Sequence, residues 1–85
     1  MTRYVIVRKD SGAHSVNQLQ PLTGVRHRTI NAAVRADDKI QRRCVRANGH
    51  GHFVPTQYVA EEHGSFRRLT EAEAWEVTDA VYSLY

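Results

Sequence analysis

Apolar residues fall into four patterns along the chain, and each predicts a different element. Tyr4, Val5, Ile6 and Val7 form an unbroken β-branched and aromatic run between Arg3 and Arg8, which reads as a strand over Thr2 to Arg8. An unbroken run, in place of alternation, suits a strand covered on both faces, such as the centre of a small sheet. Asp10-Ser11-Gly12 ends it as a turn. From His14 to Leu22 the alternation through Val16, Leu19 and Leu22 is weak and Pro21 bars a central strand, so this segment reads as loop with room for a short edge strand. Thr23-Gly24 is a second turn, after which Val25 to Arg28 is short and basic.

The stretch from Thr29 to Ala47 supports two readings. As one helix, Ile30, Ala33, Ala36 or Asp37, Ile40, Cys44 and Ala47 repeat at spacings of three and four, with Thr29 or Asn31 as N-cap and Asn48-Gly49 as C-cap. As a short helix followed by a strand, residues 31–36 make one or two turns, Asp37-Asp38-Lys39 breaks them, and Ile40 to Ala47 becomes the first arm of a hairpin. The second reading is preferred. Asn-Gly between β-capable runs is a strong hairpin signal, since both residues tolerate the positive φ of a type I′ turn, and His52-Phe53-Val54 beyond it is β-like. Pro55 then makes the second arm an edge strand or bends it; a helix from Pro55 to His63, stopped by Gly64, is the alternative.

At the C-terminal end Thr70-Glu71-Ala72-Glu73 is a capping box, which starts a helix running to about Ser83. Ala74, Trp75, Thr78, Val81, Tyr82 and Tyr85 share one side of it, with Trp75 as the expected anchor on a sheet and Glu71, Glu76 and Asp79 facing outward. The elements add up to an α+β fold: a small, largely antiparallel sheet with a C-terminal helix packed on one face.

Composition narrows the class. Eighty-five residues suit a single compact domain over 1–85, because halves would be too small to bury a core without staples. The apolar share of 41% with 25% charged is that of a globular chain, not a disordered one. The apolar run near the N-terminus is too short for a signal peptide or a membrane span, and one cysteine fits a reducing compartment, so a cytoplasmic protein without membrane association is expected.

Charge points further. Residues 1–60 carry ten Lys or Arg against three Asp, whereas residues 61–85 carry two Arg against six acids, so the net +3 conceals halves of +7 and −4. A basic body neutralises phosphates and an acidic end is repelled by them, which leaves one side for a nucleic acid; mutual attraction of the two segments accounts for the same asymmetry. The nucleic-acid reading assigns contacts to Arg26, Arg28, Arg35, Arg42, Arg43 and Arg46, with Tyr58 as a base-stacking neighbour. On an edge strand those arginines would equally guard against aggregation.

Catalytic patterns are missing: the chain has no P-loop, dinucleotide glycine pattern, HExxH, GxSxG or CxxC. No enzymatic activity and no cofactor are expected. Cys44, His50, His52 and His63 are zinc-type ligands, but their spacing fits no usual signature. A two-residue turn at Asn48-Gly49 would also put Cys44 on the face opposite His50 and His52, whereas a three-residue loop would reverse this; no metal is expected. Two functions from different classes follow. One is a small non-enzymatic protein that binds nucleic acid through an Arg-rich face. The other is a protein-interaction module, such as a phage or mobile-element inhibitor docking on a nucleic-acid-handling host enzyme.

Overall fold

A computed structural model of the chain describes residues 1–9, 15–48 and 55–85. Strand β1, Arg3–Arg8, pairs antiparallel with β2, Thr56–Glu62, and β2 pairs antiparallel with β3, Ser65–Arg67, in the spatial order β1-β2-β3. Helix α1, Ile30–Asn48, lies between β1 and β2 in sequence, and α2, Glu71–Tyr82, follows β3. The architecture is α+β, with α2 packed over one face of the sheet and against α1.

Pairing of Val5 with Val59, Ile6 with Tyr58 and Glu61 with Phe66 sorts the side chains onto two faces. Val5, Val7 and Val59 form one buried cluster with Leu19, against which Val16 and Phe66 pack. Val16 opens a single 3-10 turn, Val16–Gln18, which lays Leu19 over that face. Tyr4 and Tyr58 on the opposite face pack with Ile30, Val34, Ala80, Val77, Val81 and Leu84 of the two helices. Burying the Val5, Ile6 and Val7 side chains contributes roughly 1.5 to 3 kcal/mol each, so this short strand supplies much of the core.

The unbroken apolar run reflects cover on both faces of β1, by Leu19 on one and the helices on the other, although β1 is the outer strand of the sheet and not its centre. Beyond β2 on one side, its other edge is taken by irregular chain: Leu22 N–H donates to the Ile6 carbonyl at 2.9 Å, and Tyr4 and His27 exchange backbone bonds at 2.8 and 2.9 Å. Bridges at Pro21 and His27 therefore stand where a fourth strand would be, and Pro21 is tolerated because it donates nothing to the ladder.

Three expectations are corrected. First, residues 30–48 are one helix, not a short helix followed by a strand. Thr29 caps it, accepting from Ala32 N–H at 3.1 Å. The Asp37-Asp38 pair does not break it, because Asp37 is bonded to β2 and Asp38 holds Arg42 at 2.9 Å across one turn. Second, the hairpin lies elsewhere. Its arms are β2 and β3, and His63 and Gly64 between them have φ of 53° and 78°, the two positive values of a type I′ turn. Asn48 belongs to the helix, and Gly49 to Val54 lie outside the described residues. β2 is thus the central strand, with Pro55 just before its first residue and the Pro55 carbonyl accepting from Lys9 N–H at 3.0 Å. Third, Trp75 is 63% exposed and is not the core anchor of α2. The capping box forms as expected, Thr70 accepting from Glu73 N–H and Glu73 from Thr70 N–H at 3.2 and 2.9 Å. The face turned inward is instead that of Val77, Ala80, Val81 and Leu84.

Candidate functional site

As a helix, α1 gathers its cations onto one side. Ile30, Ala33, Val34 and Asp37 are buried, so residues half a turn away face solvent, and Arg35, Lys39, Arg42, Arg43 and Arg46 are all exposed. Arg35, Lys39, Arg42 and Arg46 are spaced four, three and four apart, a stripe about 16 Å long. Arg42 is paired with Asp38 at 2.9 Å. Arg35, Lys39, Arg43 and Arg46 make no side-chain hydrogen bond or ion pair among the described residues. Lys39 was not among the expected contacts; on a helix its spacing from Arg35 and Arg46 includes it.

The other expected residues are dispersed. Arg26 forks onto Glu61, Nε to Oε1 at 3.1 Å and Nη2 to Oε2 at 3.3 Å, which neutralises it beside the β1 edge. Arg28 is exposed just before the first turn of α1, more than a helical turn from Arg35. Tyr58 belongs to the core: its ring packs with Ile30, Val34 and Ala80, and its hydroxyl donates to Asp37 Oδ2 at 2.6 Å. Burial first, and then that hydrogen bond, push the Tyr58 phenol well above its ordinary value and keep it a neutral donor. It therefore fastens α1 to β2 and does not stand on the basic stripe.

Asp37, only 9% exposed, is the centre of that fastening. It also accepts from Thr56 Oγ1 at 3.1 Å and Gln41 Nε2 at 3.1 Å. Among the described residues no cation pairs with it, so three neutral donors hold a buried carboxylate. A second cluster fastens α2. Arg67 Nη1 and Nη2 reach Glu73 at 2.7 and 3.2 Å, its Nε and Nη2 reach Glu62 Oε1 at 3.1 and 2.9 Å, and Tyr4 Oη donates to Glu73 at 2.8 Å. Arg67 holds the Glu73 carboxyl down to about 2. Burial and the bond to Glu73 push the Tyr4 phenol up to about 12.

Between the second half of α1 and Tyr85, which follows α2, an open cleft of about 430 Å³ is walled by Asp38, Gln41, Arg42, Val45, Arg46 and Tyr85. It adjoins a smaller recess of about 180 Å³ with Asp37, Tyr58 and Leu84 in its walls. The outer face of α2 differs in character: Trp75 and Tyr82, seven apart, are 63% and 74% exposed, and Glu71, Glu76 and Asp79 are exposed around them. Those three acids form no ion pair among the described residues.

For metal ligation, Cys44 is half-buried on α1, His63 sits in the exposed β2–β3 turn, and His50 and His52 lie outside the described residues. The strand geometry that separated Cys44 from His52 no longer applies, since Cys44 is helical. Among the described residues no three His, Cys, Asp or Glu side chains are grouped to hold an ion. No described helix is long and apolar enough to cross a membrane. No family model, no curated protein and no solved structure matches the chain.

Proposed function

We propose that this is a non-enzymatic nucleic-acid-binding protein that holds phosphates on the outer face of α1. One observation carries the reading: five cations share that face and four of them have no partner among the described residues. Like charges three and four apart on a helix repel by a few tenths of a kcal/mol per pair, so Arg35, Lys39, Arg42, Arg43 and Arg46 burden the helix they sit on. A solvated helix usually relieves this by interleaving acids, and here only Asp38 does so. A polyanion relieves it by displacing counterions, and arginine's planar fork suits phosphate oxygens. The carboxylates that could act as acids or bases, Asp37 and Glu73, are committed to holding the helices, which favours binding over chemistry. A cytoplasmic location fits the one cysteine, which is not in a disulfide.

The test is the triple change Arg42→Gln, Arg43→Gln and Arg46→Gln, which keeps length and polarity. All three residues are exposed, so folding should survive. Affinity for nucleic acid should fall across sequences, and the slope of log K against log salt should flatten by up to roughly three. Unchanged affinity with the fold intact would overturn the reading.

A second reading is favoured by the outer face of α2. An exposed tryptophan ringed by three acids without an ion pair among the described residues suits docking on a basic groove of a nucleic-acid-handling protein, where the acids stand in for phosphates, as an inhibitor carried by a phage or mobile element would do. Co-purification that resists nuclease and is lost on Glu71→Gln, Glu76→Gln and Asp79→Asn would support it. Capture that depends on nucleic acid would return the function to α1.

A further inference from the structure

We propose that the cleft between the second half of α1 and Tyr85 receives an unpaired nucleobase, so that the ligand of the α1 face is single-stranded nucleic acid. The inference rests on the reading of that face as phosphate-binding and adds to it the form of the strand.

The wall composition carries it. Tyr85 is 93% exposed, yet its side chain forms one wall of the 430 Å³ cleft, with Val45 as an apolar neighbour and Arg42 and Arg46 beside it. A space of this size is in the range of sites that take small ligands. An exposed ring gives a base a face to stack on, and a flanking arginine without a partner among the described residues, Arg46, gives the adjoining phosphate its counter-charge. Asp38, held at the cleft by Arg42 at 2.9 Å, keeps a second oxygen able to accept from an exocyclic amine. The stripe and the cleft also share residues: Arg42 and Arg46 end the row that begins at Arg35, so a strand laid along α1 runs directly to the cleft. A paired base in a duplex is stacked on both faces and has none to offer Tyr85, whereas an unpaired base does. The outer face of α2 is a poorer platform despite Trp75 and Tyr82, because Glu71, Glu76 and Asp79 repel the phosphates that accompany any base.

The experiment compares binding of oligo(dT) and oligo(rU) with that of a DNA duplex of equal length, at one salt concentration, for the full chain and for Tyr85→Ala and Tyr85→Phe. A strand carrying 2-aminopurine, whose emission falls when it stacks, reports the contact directly. The expected result is tighter binding of single strands and quenched 2-aminopurine. Tyr85→Ala should lose roughly five- to a hundredfold in single-strand affinity and release the quenching, with duplex affinity unmoved, while Tyr85→Phe keeps both. Tyr85 is exposed, so neither change should disturb folding. Equal binding of duplex and single strands, or a single-strand preference that survives Tyr85→Ala, would overturn the cleft while leaving the α1 reading intact. Failure of any nucleic acid to bind, or binding untouched by the triple arginine change, would overturn both.

Discussion

Each of the two helices is fastened to the sheet by one carboxylate, and the two carboxylates work by different chemistry. On α1, Asp37 is buried and bonded to Tyr58, Thr56 and Gln41, all neutral donors. On α2, Glu73 lies near the surface, faces Arg67 and Tyr4, and also closes the capping box of its own helix. The first anchor depends on shape and exclusion of water, because removing the acceptor strands three donors in a low-dielectric site. The second depends on charge, and is open to pH and salt. The outer faces repeat the opposition, with cations on α1 and acids around an exposed indole on α2. A helix held by neutral donors keeps its place whatever the ionic strength at its outer face, as the proposed phosphate-binding surface would require. That separation suits a binding surface.

The contrast breaks most visibly at Asp37. Asp37→Ala should cost about 3 kcal/mol, since Tyr58, Thr56 and Gln41 each lose an acceptor and water can replace only part of it. Denaturant unfolding measures this, and a loss under about 1 kcal/mol would mean that the network is solvated. The loss should be nearly independent of salt.

Acid should weaken the Glu73 anchor next. Glu73 has its folded value lowered to about 2, so its contribution is complete above the ordinary carboxylate range near 4.5 and disappears as pH falls toward 2. Glu62, also held low by Arg67, adds to the same limb. Stability followed from pH 6 downward should therefore decline in that window, and Glu73→Gln should shallow the decline and reduce its salt dependence. An identical acid limb in wild type and variant would show that the ion pair is idle. At the alkaline end Tyr4 acts with the opposite sign. Its folded value is raised to about 12, so its contribution holds below 10 and is lost as pH climbs through 12.

Trp75→Ala should have the smallest effect, below about 1 kcal/mol, because the ring is 63% exposed on the side of α2 opposite Val77 and Leu84. As the chain has one tryptophan, its emission reports this face directly, and a solvent-exposed spectrum is expected. A loss of 3 kcal/mol or more, in the range of buried aromatic truncations of about 3 to 5, would place the ring against the core. Full affinity for a basic protein partner in the variant would remove the indole from the second reading.

The sequence by itself determined the elements whose signals are local and unopposed. The Tyr4 to Val7 run can satisfy its side chains only when covered on both faces, and it became the buried strand β1. Thr70 and Glu73 carry both halves of a reciprocal cap, and they start α2 where expected. The surplus of cations before residue 60 is likewise a matter of composition. Tertiary structure decided what rested on a choice between competing local signals. Residues 30–48 held a helical stripe beside the preferred strand-and-turn pattern, and the helix prevailed because Ile30 and Val34 meet Ala80 while Asp37 meets Tyr58, partners 20 to 50 positions away in the chain. That choice placed Arg35, Lys39, Arg42, Arg43 and Arg46 on one face, which a strand would have divided between two. It also withdrew Tyr58 from the surface, and on α2 the aliphatic Val77, Ala80, Val81 and Leu84 turned inward in place of Trp75, the expected anchor on the sheet. Periodicity in a sequence names the candidate faces of a helix. Which face is buried depends on the volume and donors its neighbours present, and those exist only once the chain has folded.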